Sequence, residues 1–143
     1  MKLVDVNVLL YSVDEDSPHH AEAKRWLDTA LTQSEAIGFA WGAMLAFLRV
    51  STQAAAFAHP FSSDEAVARL EAWLSQPPAV VVEPTRRHLG LVAGLLGSVG
   101  TAGNLVNDAH LAALALEHGA TVVSYDFDFG RFSGVRWALP SAL

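Results

Sequence analysis

Cysteine is absent from the 143 residues. Its absence excludes a disulfide frame, a thiolate metal site and a cysteine nucleophile, and it fits a protein of the reducing cytoplasm. Charge is scarce as well. Charged residues make up 17% of the chain and apolar ones 52%, against a usual charged share of about 25%. So apolar a chain folds, which excludes disorder. Positive charge is the scarcer sign: nine Lys and Arg stand against fifteen Asp and Glu, for a net charge of −6. A domain that grips nucleic acid by charge alone is basic, so contact with nucleic acid here requires metal ions or a local basic patch. The negative balance suits a basic protein partner. Long hydrophobic runs are missing too. The stretch Ala36 to Leu48 is too short to span a bilayer and ends in Arg49, so no membrane segment is expected. Met1 leads directly into an apolar, strand-like run, and no signal peptide is expected.

Several chemical signatures are also lacking. No GxxxxGK is followed by Ser or Thr, no GxGxxG follows a strand, and no GxSxG occurs. The glycines Gly97, Gly100 and Gly103 carry nothing specific to phosphate. Lys2 and Lys24 are the only lysines. A haloacid-dehalogenase phosphatase needs a downstream lysine and a second Asp where this chain has Asn7, and a receiver domain needs the same lysine.

What is present alternates between strand and helix. Lys2 to Val6 reads as a short buried strand. Ser17-Pro18 caps a helix over 18–32. Ile37 and Phe39 mark a strand, and a helix follows through Met44, Leu48 and Val50. Ser62 with Glu65 forms a capping box for a helix over 63–75. Residues 79–83 are rich in β-branched side chains and read as a strand. Thr85 caps a helix over 86–97, and 97–103 reads as loop. Asn104 to His118 is a helix stopped by Gly119. Residues 121–125 and 135–137 complete the strands. Such alternation implies a parallel sheet covered by helices, in a single domain over 1–143.

The acids fall at telling places. Asp5 and Asp126 sit at the carboxyl ends of strands, where parallel sheets build their sites. Asp108 lies in the first turn of the helix before the Asp126 strand and shares a face with Leu111, Ala112 and Ala115. A carboxylate beside an apolar face is costly without a partner. Oxygen ligands gathered without cysteine suit Mg²⁺ or Mn²⁺. Local roles stay open for each: Asp5 and Asn7 as caps, Asp108 as a dipole partner, Asp126 and Asp128 as turn formers. Asn7 and Asn104 are accessory candidates, Asn104 for a metal-held water or a cap. His19 and His20 read as solvent-facing. His110 reads as a proton shuttle near Asp108 or as a surface or packing residue, and Arg86-Arg87 as a solvated face. Arg49 reaches a carboxylate at the sheet edge or stabilises its own helix end.

Four segments, in order, resemble a known family. Leu3-Val4-Asp5-Val6-Asn7-Val8-Leu9-Leu10-Tyr11 resembles the opening strand of PIN domains. Phe47-Leu48-Arg49-Val50-Ser51-Thr52 resembles a segment of the bacterial VapC toxins. Gly103-Asn104-Leu105-Val106-Asn107-Asp108-Ala109-His110-Leu111 opens a block similar to theirs, and Ser124-Tyr125-Asp126-Phe127-Asp128-Phe129 resembles their closing block. The resemblance implies a three-layer α/β/α sandwich with a mostly parallel central sheet. It implies a Mg²⁺-dependent endoribonuclease, the toxin of a type II toxin–antitoxin pair. Asp5, Asp108 and Asp126 would hold the metal, with Asp128 accessory. A homodimer and a VapB-type antitoxin with a basic tail are the implied partners. Many PIN nucleases carry a glutamate on the helix where this chain has Ala43-Met44-Leu45-Ala46-Phe47, and no acid lies between Trp41 and Arg49. Three carboxylates suffice for one Mg²⁺, and a second ion is not implied. The alternative function is a catalytically weak or inactive PIN-like module that binds a protein partner.

Overall fold

Lys2–Val4 (β1), Ile37–Ala40 (β2), Ala79–Val82 (β3), Thr121–Val123 (β4) and Arg136–Ala138 (β5) form one sheet in the computed structural model, which describes residues 1–143. Its order is β3-β2-β1-β4-β5, and every neighbouring pair is parallel. Parallel neighbours require crossovers, which helices provide. Val6–Val13 (α1) and His20–Ala30 (α2) join β1 to β2. Trp41–Ser51 (α3) and Ser63–Leu74 (α4) join β2 to β3. His88–Val99 (α5) and Val106–His118 (α6) join β3 to β4. None of these helices is long and apolar enough to cross a membrane.

Successive strand residues face opposite sides of the sheet. Leu3 and Val122 enter a core with Leu95, Leu111, Ala112 and Leu114 of α5 and α6. Val4, Phe39 and Val123 enter a second core with Leu9, Leu27, Phe47 and Trp73 of α1 to α4. This is the expected α/β/α sandwich, with a sheet that is wholly parallel. Phe39 and Phe47 are fully buried, each worth about 1.5–3 kcal/mol relative to exposure. In β2, a Cβ on Gly38 would stand 2.7 Å from Val82 Cγ2 and 3.1 Å from Leu3 Cδ1. Only glycine lets these two side chains close over the sheet.

Local boundaries differ from the sequence expectations in instructive ways. The first strand stops at Val4 rather than at Val6, and residues 6–13 form a helix where no element is expected from the sequence. The short, mostly apolar run over 3–11, broken only by Asp5 and Asn7, has no clear period that separates strand from helix. Asp5 makes the break: its backbone is extended and its Oδ1 accepts the Val6 N–H at 2.7 Å, capping α1. α2 begins at His20 rather than 18, after Ser17 Oγ accepts the His19 N–H. α4 starts as expected, with Ser62 Oγ accepting from Glu65 N–H at 3.2 Å. α5 runs later than expected, through Gly97 to Val99. Asn104 lies in a 3-10 turn over Gly103–Leu105, and α6 begins at Val106. Gly119 at φ 61° ends α6, its N–H reaching Ala115 O. β4 ends at Val123, freeing Ser124 to Asp126 to turn.

From β1 the chain winds outward through β2 and β3, then returns to place β4 on the other side of β1. The winding direction therefore reverses between β1 and β4. A crevice opens beyond the carboxyl ends of strands at such a point.

Candidate active site

Asp5 and Ser124 leave the adjacent strands β1 and β4 at that crevice, and a closed set of hydrogen bonds ties them together. Ser124 Oγ donates to Asp5 Oδ2 at 2.6 Å. The same oxygen accepts from Asn7 Nδ2 and from the Asp126 N–H, each at 2.9 Å. Asn7 Nδ2 also donates to Asp5 Oδ2 at 2.9 Å, while its Oδ1 accepts the Tyr125 N–H at 3.2 Å. Ser124 is fully buried and Asp5 is 8% exposed. Each hydroxyl and amide valence in this set has a partner, as burial requires. Burial still pushes the Asp5 carboxyl above its ordinary range, against the hydrogen bonds from Ser124 and Val6, and the nearby Asp126 adds to the rise.

A second cluster has the opposite character. Carboxylate oxygens of Asp108, Asp126 and Asp128 lie within 4.8 Å of one another. The first turn of α6 presents Asp108, and the 3-10 turn over Phe127–Arg131 presents Asp128. Asp126 caps that turn, its Oδ1 accepting from the Asp128 N–H at 2.8 Å. Arg131 lies 3.4 Å from Asp128, an exposed contact of little weight. No side chain donates to the Asp108 carboxyl. Burial, followed by the charges of Asp126, Asp5 and Asp128, pushes it up to about 7. Like charges held together in this way favour a bound cation or proton. The donor set is all oxygen, which fits a hard divalent ion such as Mg²⁺ or Mn²⁺.

A cleft of about 610 Å³ gathers Asp5, Asn7, Arg49, Asn104, Asp108 and Asp126. All the singled-out residues thus meet at one edge, with Asp128 beside Asp108 and Asp126. Arg49 occupies the last turn of α3 and makes no ion pair. Asn104 and Arg49 are exposed on the cleft wall. The α3 wall offers Gly42, Ala43, Leu45 and Ala46, with no carboxylate among them.

Sequence reasoning missed Ser124 as the hub of the Asp5 network, although its place two residues before Asp126 was a usable signal. It also missed the surroundings of His110, which lines the same cleft. His110 Nδ1 lies 2.8 Å from His88 Nε2, and His88 Nδ1 lies 2.8 Å from Glu117 Oε2. Burial and the neighbouring His88 hold His110 below the ordinary imidazole range, with Glu117 opposing. Burial alone would raise Glu117, but hydrogen bonds from Thr85 and His88 outweigh it and hold the carboxylate low. His19, expected to face solvent, is exposed but stacks on Tyr125 with ring centroids 4.4 Å apart. Its neighbour His20 is half-buried, with Nδ1 2.9 Å from Tyr11 O.

A model of the PIN domain matches residues 2–135. The chain belongs to the PIN domain family. Within it, the chain is 54% identical to Ribonuclease VapC37 of Mycobacterium tuberculosis over 143 residues, which cover all of this chain and 99% of that protein. Ribonuclease VapC33 of the same species is 37% identical over 140 residues, 98% of each chain. The PIN fold is shared with the structure of VapBC2 from Rickettsia felis bound to a promoter DNA fragment. That match has a TM-score of 0.71 at 17% identity, over 96% of this chain and 97% of that one. The resemblance read from the four sequence blocks is thus the family, with the VapC ribonucleases as its near relatives.

Proposed function

We propose that this chain is a metal-dependent endoribonuclease, the toxin of a type II toxin–antitoxin pair, that hydrolyses RNA phosphodiesters. The observation that carries this reading is the convergence of Asp108, Asp126 and Asp128, the first two of which line the same cleft as Asp5. Its relationship to curated VapC ribonucleases supports the substrate class. Asp5, Asp108 and Asp126 hold one Mg²⁺, with Mn²⁺ able to substitute, and Asp128 takes a place beside them. When bound, the ion supplies charge neutralisation at the phosphate and activation of water. The protein's own part is positional. Asn7 and Ser124 fix Asp5 and the Asp126 backbone, so the acids need no rearrangement when the ion arrives. Arg49 on the cleft wall offers a fork for a phosphate. With no acid on the α3 wall, one ion is the occupancy this chain supports.

The acidic cleft also suits the basic tail of a VapB-type antitoxin, whose arginine would pair bidentately with the carboxylates. The toxin is read as a cytoplasmic homodimer. Incubation with RNA, with and without EDTA, tests the activity directly. Metal-dependent cleavage leaving 5′-phosphate and 3′-hydroxyl ends is expected. Products ending in 2′,3′-cyclic phosphate in EDTA contradict the proposed chemistry.

A further inference from the structure

Glu117, His88 and His110 form a chain of hydrogen bonds that ties the start of α5 to α6 and makes no hydrogen bond to the carboxylate cluster. Glu117 and His110 lie seven residues apart on α6, two turns along one face, and His88 at the start of α5 bridges them. The two imidazole rings meet nearly edge to face, at 78° with centroids 4.8 Å apart. The far end of the chain is anchored, because Thr85 donates to Glu117 through both its N–H and its hydroxyl. The Glu117 side chain is only 1% exposed. At the near end, His110 lines the cleft and covers Gly42, where a Cβ would stand 3.4 Å from Nε2.

Hydrogen-bond valence then fixes every proton in the neutral chain. A carboxylate only accepts, so His88 Nδ1 carries a proton. His88 Nε2 is left to accept, so His110 Nδ1 carries the next one. His110 Nε2 therefore presents a bare lone pair. A fixed acceptor repels phosphate oxygens and takes a hydroxyl or an amine. His110 stands two residues from Asp108 on the same helix, and both line the cleft to which the ribonuclease reading assigns the scissile phosphate. The hydroxyl next to that phosphate is the ribose 2′-OH, the group that distinguishes RNA from DNA.

We propose that the Glu117–His88–His110 chain makes His110 a fixed hydrogen-bond acceptor that reads a ribose 2′-hydroxyl, and so selects RNA over DNA. This rests on the ribonuclease reading of the cleft. His110 is the specificity-determining residue, and His88 and Glu117 are positioning residues.

The test uses single-stranded random-sequence 12-mers as RNA, 2′-fluoro RNA and DNA, with Ca²⁺ present at pH 8. Fluorine keeps the ribose pucker and removes the O–H donor. The wild-type protein should bind RNA about 5–10-fold more tightly than 2′-fluoro RNA, the worth of one hydrogen bond. His110→Phe should bind the two alike, and His88→Phe should reduce the preference to about twofold. Equal wild-type affinity for RNA and 2′-fluoro RNA overturns the proposal while leaving the ribonuclease reading intact. Failure to bind any of the three contradicts the ribonuclease reading and the proposal with it. Nitrogen-15 NMR of the wild-type imidazoles gives a check that needs no variant to fold. Protonation of His110 at Nδ1 is expected, and protonation at Nε2 overturns the proposal.

Discussion

Two acidic groups meet at the end of β1 and β4, and they are built on opposite rules. Around Asp5, donors are matched to acceptors: Ser124, Asn7 and the Val6 N–H all give hydrogen bonds to its carboxylate. Around Asp108, charges are matched to like charges, and no side chain donates to its carboxyl. The first network spends its hydrogen bonds on joining two strand ends and holds Asp5 in place whether or not an ion is bound. The second is incomplete, and its repulsion is relieved by a cation or a proton. One group sets the geometry, and the other leaves the electrostatic demand that a metal meets.

The sharpest way to break this contrast is to neutralise one member of each group. Asp108→Asn should lower RNA cleavage by about a hundredfold or more, the scale of losing a key electrostatic group. The same change should raise the melting temperature of the metal-free protein at pH 8, by about 3 °C for each kcal/mol of repulsion removed in a chain of this size. Ser124→Ala should do the reverse to the fold. It removes one of the three donors to Asp5, one of the two acceptors of the Asn7 amide and the acceptor of the Asp126 N–H, so about 2 kcal/mol of stability should be lost in urea denaturation. Cleavage should fall with it, as Asp5 loses its fixed place. A stabilised Ser124→Ala, or a destabilised metal-free Asp108→Asn, would erase the distinction between the two groups.

The pH dependence sharpens it further. Asp108 titrates near 7 when folded against 3.8 as an ordinary aspartate. Between those values the folded state keeps a proton that the unfolded chain has lost. This group's contribution to stability is therefore fully present below about 4 and fades as pH rises through about 7. Thermal melts of metal-free wild type and Asp108→Asn should converge near pH 4 and separate towards pH 8. Glu117 has the opposite sign, since its carboxylate is held below 4.5 by Thr85 and His88. Its contribution is present above 4.5 and is lost as pH falls through its folded value. The smallest effect belongs to Asn104, exposed on the cleft wall without a hydrogen bond. Asn104→Ala should change cleavage by no more than about threefold and leave the fold unaltered.

The sequence carried the alternation of strands and helices, the parallel sheet and the edge where acids collect, because these depend on local pattern and chain direction. It also carried the start of α4 at Ser62 and the stop of α6 at Gly119, where capping chemistry is written in two or three residues. It did not carry the helix over Val6–Val13, because an apolar run has one appearance in both states. The weight of Asp128 was understated because its approach to Asp108 depends on how the 3-10 turn after β4 packs against α6. Ser124 and Asp5 are 119 residues apart, and His88 and Glu117 are 29 apart. Such pairings belong to tertiary packing, and no spacing along the chain announces them.

Calorimetric titration of Mg²⁺ and Mn²⁺ into the metal-free protein at pH 7, in buffers of different ionisation heats, probes the incomplete cluster most directly. One ion should bind, a fraction of a proton should be released as it displaces the one on Asp108, and Asp108→Asn should weaken binding at least tenfold. Binding without proton release that is unchanged by Asp108→Asn would contradict the assignment of this cluster as the metal centre.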